Sequence, residues 1–139
     1  MCLGKNMVEE AIHQITQAIP DIRWLRFVRV DGLAHPTYMY HDDGHRHDTE
    51  IDREEDRYSA MTAASISLGE RILYELVLGT PKSVVLNGEF GTYFMLPLGD
   101  GSEWVISFVV KGHPSVDATI KYFQDRQYLA SIVPALKFS

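Results

Sequence analysis

The densest chemistry in the sequence lies in His41 to Asp48, HDDGHRHD, where three histidines and three aspartates surround one glycine. Imidazole and carboxylate groups together can hold a transition metal. Structural zinc, however, favours tetrahedral sets of cysteine and histidine, and this stretch contains no cysteine. A calcium loop alternates oxygen ligands and closes on a bidentate glutamate, a pattern the histidines interrupt. Gly44 and the density of polar side chains suit a strand-to-helix loop that runs on through DTEIDREED, its like charges holding it extended. No metal ligand is therefore assigned, and a metal-dependent enzyme using this cluster is kept only as an alternative.

Other constellations carry less. Serines are present, but no GxSxG elbow accompanies them, and the six histidines fall in the polar loop, at helix ends or beside a proline. Cys2 sits at a terminus expected to fray, a poor place for a positioned nucleophile. The fragment GTPKS, Gly79 to Ser83, superficially echoes the end of a phosphate-binding loop. It fails because Pro81 removes a backbone N–H where one is needed, and because it leads from a helix into a strand, the reverse of the order that aims a helix N-terminus at phosphate. No catalytic residue and no cofactor follow from the sequence.

The elements that would position any site are easier to read. Asn6 and Glu9 have the spacing of a capping box, and Val8, Ala11, Ile12, Ile15 and Ile19 recur at helical spacing up to Pro20. IRWLRFVRV, Ile22 to Val30, and PTYMY, from Pro36, read as two strands joined through Asp31-Gly32. A long helix is expected from Arg57 to Leu78, with Met61, Ala64, Leu68, Ile72 and Leu76 on one apolar stripe and Ile66, Leu73 and Val77 on its neighbour. Gly79 and Pro81 are expected to end it. SVVLN, TYFMLPL and EWVISFVV follow as three strands with short, glycine-bearing links, hence antiparallel neighbours. Ser115 is an N-cap for a last helix whose face carries Val116, Ile120, Phe123 and Ala130, bounded by Pro134.

Residues 1–139 thus form one α+β domain in the order helix, strand, strand, helix, strand, strand, strand, helix, around a five-stranded antiparallel sheet. In the last strand Trp104, Ile106, Phe108 and Val110 alternate with Val105 and Val109, so both faces of the sheet need cover and the layers are α/β/α. Five strands at about 4.8 Å make a sheet roughly 24 Å wide, whereas a helix with its side chains is about 10–12 Å across. The long helix alone leaves half its face bare. A second copy related by a twofold axis would cover it and account for the extra apolar stripe, so a homodimer is expected.

Composition narrows the partners. Charged residues are 23%, hydrophobic residues 45% and the net charge is −6, which argues against a nucleic-acid backbone as ligand. A lone cysteine fits a reducing compartment, and neither a signal peptide nor a membrane span is expected, so the chain is expected in the cytoplasm.

Three stretches, VRVDGLAHPTYMY; SLGERILYELVLGTPKSVVLNGEFGTYFMLPLGDG, with its Gly-Glu-x-Gly turn; and WVISFVV with the helix after it, are informative together. They resemble the Roadblock family, the dynein light-chain roadblock type whose bacterial and archaeal members accompany small Ras-like GTPases. The likeness runs from about Val8 to Leu136 and implies a profilin-like sandwich, dimerised by pairing the long helices and joining edge strands around Ser83 to Asn87. On that arrangement the interface takes Met61, Ser65, Leu68, Ile72 and Leu76 from the helix and Val84, Val85 and Leu86 from the strand. The function implied is a GTPase-binding regulator, adaptor or scaffold without an active site of its own, or alternatively a structural subunit of a larger assembly. Arg57 and Arg71 are candidate partner contacts because arginine is favoured at interface hot spots. Glu54, Glu55 and Asp56 are candidates for steering a basic partner. The long charged loop between Tyr40 and Tyr58 departs from shorter family members and leaves the partner's identity open.

Overall fold

A computed structural model describes residues 3–30, 34–41, 49–99, 103–125, 132 and 134, with side chains described for 7–30, 57–99, 103–125, 132 and 134. Helix α1 spans Leu3–Ala18, strands β1 and β2 span Ile22–Arg29 and Ala34–His41, and α2 spans Thr49–Glu75. Strands β3, β4 and β5 cover Val84–Asn87, Gly91–Pro97 and Trp104–Lys111, and α3 covers Val116–Gln124. The strands form one antiparallel sheet in the order β2-β1-β5-β4-β3. Its hairpins need only short links, and β1 and β5 meet at the centre through a longer path.

Strand alternation divides the core. Leu25 and Phe27 of β1, Phe94 and Leu96 of β4, and Trp104, Ile106, Phe108 and Val110 of β5 point to one face, where Val8, Ala11 and Ile15 of α1 complete a buried cluster. Helix α3 adds Val116, Ile120 and Phe123 to the same side, with Phe94, Phe108 and Phe123 stacked at 4.9 and 5.0 Å between centroids. The Tyr122 hydroxyl donates to the Gln14 carbonyl at 3.4 Å and ties α3 to α1. Among the described residues helix α2 alone covers the other face, over Met95 and Val105.

Element ends differ from the sequence expectation in three places. Asn6 lies inside α1, which begins at Leu3. The run from Thr49 to Asp56, read as loop, forms the first turns of α2. Glutamate and arginine are good helix formers, and acidic residues are favoured at the positive end of the helix dipole, so the like charges support the helix instead of opening it. At the other end Gly79 is not the terminating residue. The Leu78 N–H reaches the Leu73 carbonyl at 2.8 Å and the Val77 N–H reaches Tyr74 at 3.1 Å, the paired bonds of a Schellman motif. Val77 occupies the left-handed position, φ 56°, and Gly79 takes a second positive φ of 89° beyond it.

The N-cap expected for the last helix is present: Ser115 Oγ accepts the Ala118 N–H at 3.2 Å, with Asp117 in the first turn. Edge strand β2 is irregular. Ala34 faces Val28 and Met39 faces Arg26, so four residues, Pro36 among them, stand against Phe27 alone. Asp31-Gly32, Ala130 and the stretch Asp42 to Asp48 lie outside the described residues.

Candidate functional site

Among the described residues no group of three or more histidine, cysteine, aspartate or glutamate side chains gathers to hold a metal. His41 ends β2, and the remainder of the His41 to Asp48 cluster lies outside the described residues, as does Cys2. His13 is exposed on α1 and His113 is exposed in the link between β5 and α3. Gly79 to Ser83 connects α2 to β3, helix into strand, with no helix N-terminus facing it.

The feature that stands out is α2, whose two sides invert the usual arrangement. Toward the sheet it presents Ser59, Thr62, Ala63 and Ile66, all buried, and then half-buried Gly69 and Leu73. The spacing 59, 62, 63, 66, 69, 73 is that of one helical face, made mostly of small or hydroxylic residues. Such residues let the helix sit close: a methyl group added at Gly69 would stand 3.6 Å from Val84 Cγ2. The hydroxyls are satisfied. Thr62 Oγ1 donates to the Tyr58 carbonyl at 2.8 Å and meets the Tyr93 hydroxyl, and Ser107 Oγ donates to the Arg26 carbonyl at 3.1 Å. Burial pushes the Tyr93 pKa above its ordinary value, with hydrogen bonds to Ser107 and Thr62 pulling partly back. Trp24 tilts against the Tyr93 ring at 5.9 Å between centroids.

Away from the sheet α2 is apolar. Met61, Leu68, Ile72 and Leu76 are roughly half or more exposed, Leu68 at 61%. Ser65, in the same row, returns its hydroxyl to the Met61 carbonyl at 2.9 Å, so it adds no unsatisfied donor to the stripe. Beside the stripe runs the outer edge of β3. Val84 lies on the α2 side and packs with the cluster there, and Leu86, two residues on, shares that side and is 55% exposed. Val85 points the other way and packs against the main core. Seven of the eight residues expected at an interface between copies therefore share the α2 side, and Val85 does not. Exposed apolar side chains at this concentration mark interaction surfaces on proteins.

The candidate contact arginines lie on α2 as well. Arg57 is exposed. Arg71 pairs with Glu75 at 3.3 Å, both side chains mostly in solvent, a geometry of small energetic weight. Arg71 also borders an open depression of about 1000 Å³ together with Glu70, Tyr74, Val77, Thr80 and Pro81. Sequence reading missed the aromatic and strained part of this end of the helix: Tyr74 is 82% exposed and Val77 89%. The stripe rule passes over Tyr74, which falls between its rows, and nothing in the residue type marks Val77 for a left-handed conformation.

Comparison with known proteins addresses the fold. No protein-family model matches the sequence, and no curated protein matches it. Solved structures do. "MglB with tetrameric arrangement" superposes with a TM-score of 0.74 at 12% identity, over 96% of this chain and 93% of that one. The gliding protein MglB of Thermus thermophilus gives 0.73 at 12% identity, over 95% and 92%. A Roadblock/LC7 domain from Streptomyces avermitilis gives 0.63 at 14% identity, over 90% of each chain. At these identities the likeness is one of fold, and the fold is that of the Roadblock family.

Proposed function

We propose that this Roadblock-fold chain is a homodimeric regulator or adaptor that binds a small Ras-like GTPase and has no active site of its own. The observation that carries the reading is the outward apolar stripe of α2, Met61, Leu68, Ile72 and Leu76, lying beside the free edge of β3 and exposed Leu86. A twofold axis beside β3 would pair two edges antiparallel and bring two stripes together, an isologous contact in which each copy covers the other's apolar surface. The fold shared with MglB structures supports the GTPase half of the proposal.

A regulator of this kind works by positioning. Phosphoryl transfer depends on alignment and electrostatics around the phosphate, so a protein that orders the GTPase's own groups changes its rate without donating a catalytic side chain. Arg57 and Arg71 would contribute to the partner surface, which lies on the paired helices and the segment that precedes them. The test is a pull-down from native cell extract with the purified chain as bait, run in GDP and in a non-hydrolysable GTP analogue. Recovery of one small GTPase in a single nucleotide state is the expected result, because a regulator must distinguish the two states. Recovery of the same large complex in both states, with no nucleotide preference, overturns it in favour of a structural subunit.

A further inference from the structure

The two faces of the sheet are held by different means. On the α1 and α3 side fourteen residues form one buried apolar cluster. Under α2 the buried apolar cluster is Ile66, Met95 and Val105, edged by half-buried Val84 and Tyr93. Among the described residues the seat is completed by Ser59, Thr62, Ala63 and Gly69 of the helix and by Val28, buried opposite Val105, and beyond Gly69 every residue of the helix but half-buried Leu73 is exposed. Apolar burial scales with area, and a hydrogen bond adds little net stability once its competition with water is counted. Over its described residues, 57–75, the long helix is thus bound to its own sheet by the weaker of the two contacts, while its more apolar side faces away.

We propose that α2 is a separately opening unit, registered on the sheet by the Tyr93–Thr62 hydrogen bond and able to leave it while the body formed by α1, the sheet and α3 stays folded. The latch is specific in geometry. Thr62 spends its own proton on the Tyr58 carbonyl, so its oxygen accepts from the Tyr93 phenol, and Tyr93 stands on β4 opposite Val109 of β5, next to Ser107. Local opening of this kind is how proteins expose or reshape a surface without unfolding. Because the apolar stripe rides on the same helix, a copy or partner that covers the stripe also holds the helix down. That coupling rests on the proposed association, whereas the opening itself does not.

Hydrogen exchange read by mass spectrometry on the full chain tests it. In the wild-type protein the amides of residues 59–75 are expected to exchange at least about 10-fold faster than those of β5. Tyr93→Phe should speed α2 by a further factor of about 2–12, the equivalent of one net hydrogen bond, and residues 104–111 by no more than that factor. Thr62→Val removes the same bond from the helix side at similar volume and must give the same pattern. Phe108→Leu, in the main core, should speed residues 104–111 and leave α2 unchanged, because that core stays folded on both sides of the α2 opening. Equal exchange in α2 and β5 of the wild type, or acceleration of α2 by Phe108→Leu as large as that of β5, would show one cooperative unit and overturn the proposal. Light scattering on the same samples separates the two readings: a wild-type monomer defeats the proposed association, and the contrast between α2 and β5 still decides the opening.

Discussion

Replacing Val77 by glycine should make the protein more stable, although it removes a hydrophobic side chain. Val77 takes φ 56° two residues past the end of α2, the position where a Schellman motif calls for a left-handed backbone, and its side chain is 89% exposed. For an L-residue with a Cβ that conformation costs about 1–2 kcal/mol, and branching at Cβ makes it worse. Glycine removes the cost but returns freedom to the unfolded chain, a loss of about 0.4–1 kcal/mol. So little of the side chain is buried that the transfer term is negligible. The balance is a gain of about 0.5–1 kcal/mol, read as a rise of about 2–4 °C in the thermal midpoint for a chain of this size. Val77→Ala keeps the Cβ and should recover only the part due to branching. Thermal and urea unfolding at one protein concentration, low enough to keep the assembly state fixed, would measure all three. A Val77→Gly variant that is neutral or less stable would refute the strain account, and would mean that Val77 is covered by something that repays its conformation.

The paired change Leu68→Asp and Ile72→Asp should shift the chain from dimer to monomer by at least about 100-fold in dissociation constant, since a twofold contact places each carboxylate twice in an apolar interface. Analytical ultracentrifugation checks this, with Val85→Ala as a contrast that should lower stability through the main core without the same loss of association. The raised Tyr93 pKa makes a prediction about alkali. As pH climbs past about 10 the unfolded chain ionises its tyrosine first while the folded state keeps the proton, so the folded state binds more protons and stability falls. Tyr93→Phe should flatten that component of the pH–stability curve above about pH 10 and leave the profile near neutrality parallel to wild type, as denaturant titration across the range would show.

The strands were legible because β-branched and aromatic runs such as IRWLRFVRV and EWVISFVV are long and bounded by glycine or proline, and the double-sided pattern of Trp104 to Val110 correctly demanded cover on both faces. The orientation of α2 was harder to read. Periodicity finds an apolar face but does not say whether the chain's own sheet or another molecule covers it, and here the visible stripe points outward. The true seat, Ser59, Thr62, Ala63, Ile66, Gly69, has the right spacing but too little hydrophobicity to register. Boundaries failed for a related reason. The acidic run before Arg57 looks like a solvated loop by charge and is a helix by propensity, and Gly79 is a better terminator by composition than Val77, which the backbone hydrogen bonds select. The outward stripe Met61, Leu68, Ile72 and Leu76 was accessible because its residues are apolar and helically spaced. Tyr74 and the open end of the helix were not, because no residue type there breaks a rule.

The irregular strand β2 limits what the sheet can become. A sheet has two edges, and a chain with both open can add copies end over end into a filament. Here one edge, β3, is four residues of regular pairing with β4, while at the other four residues including Pro36 bulge out against Phe27. A bulge twists the edge and proline withholds a donor, so a strand arriving at β2 finds no continuous template. In the proposed pairing through β3, growth by sheet extension would therefore stop at two copies, a closed pair in place of a polymer.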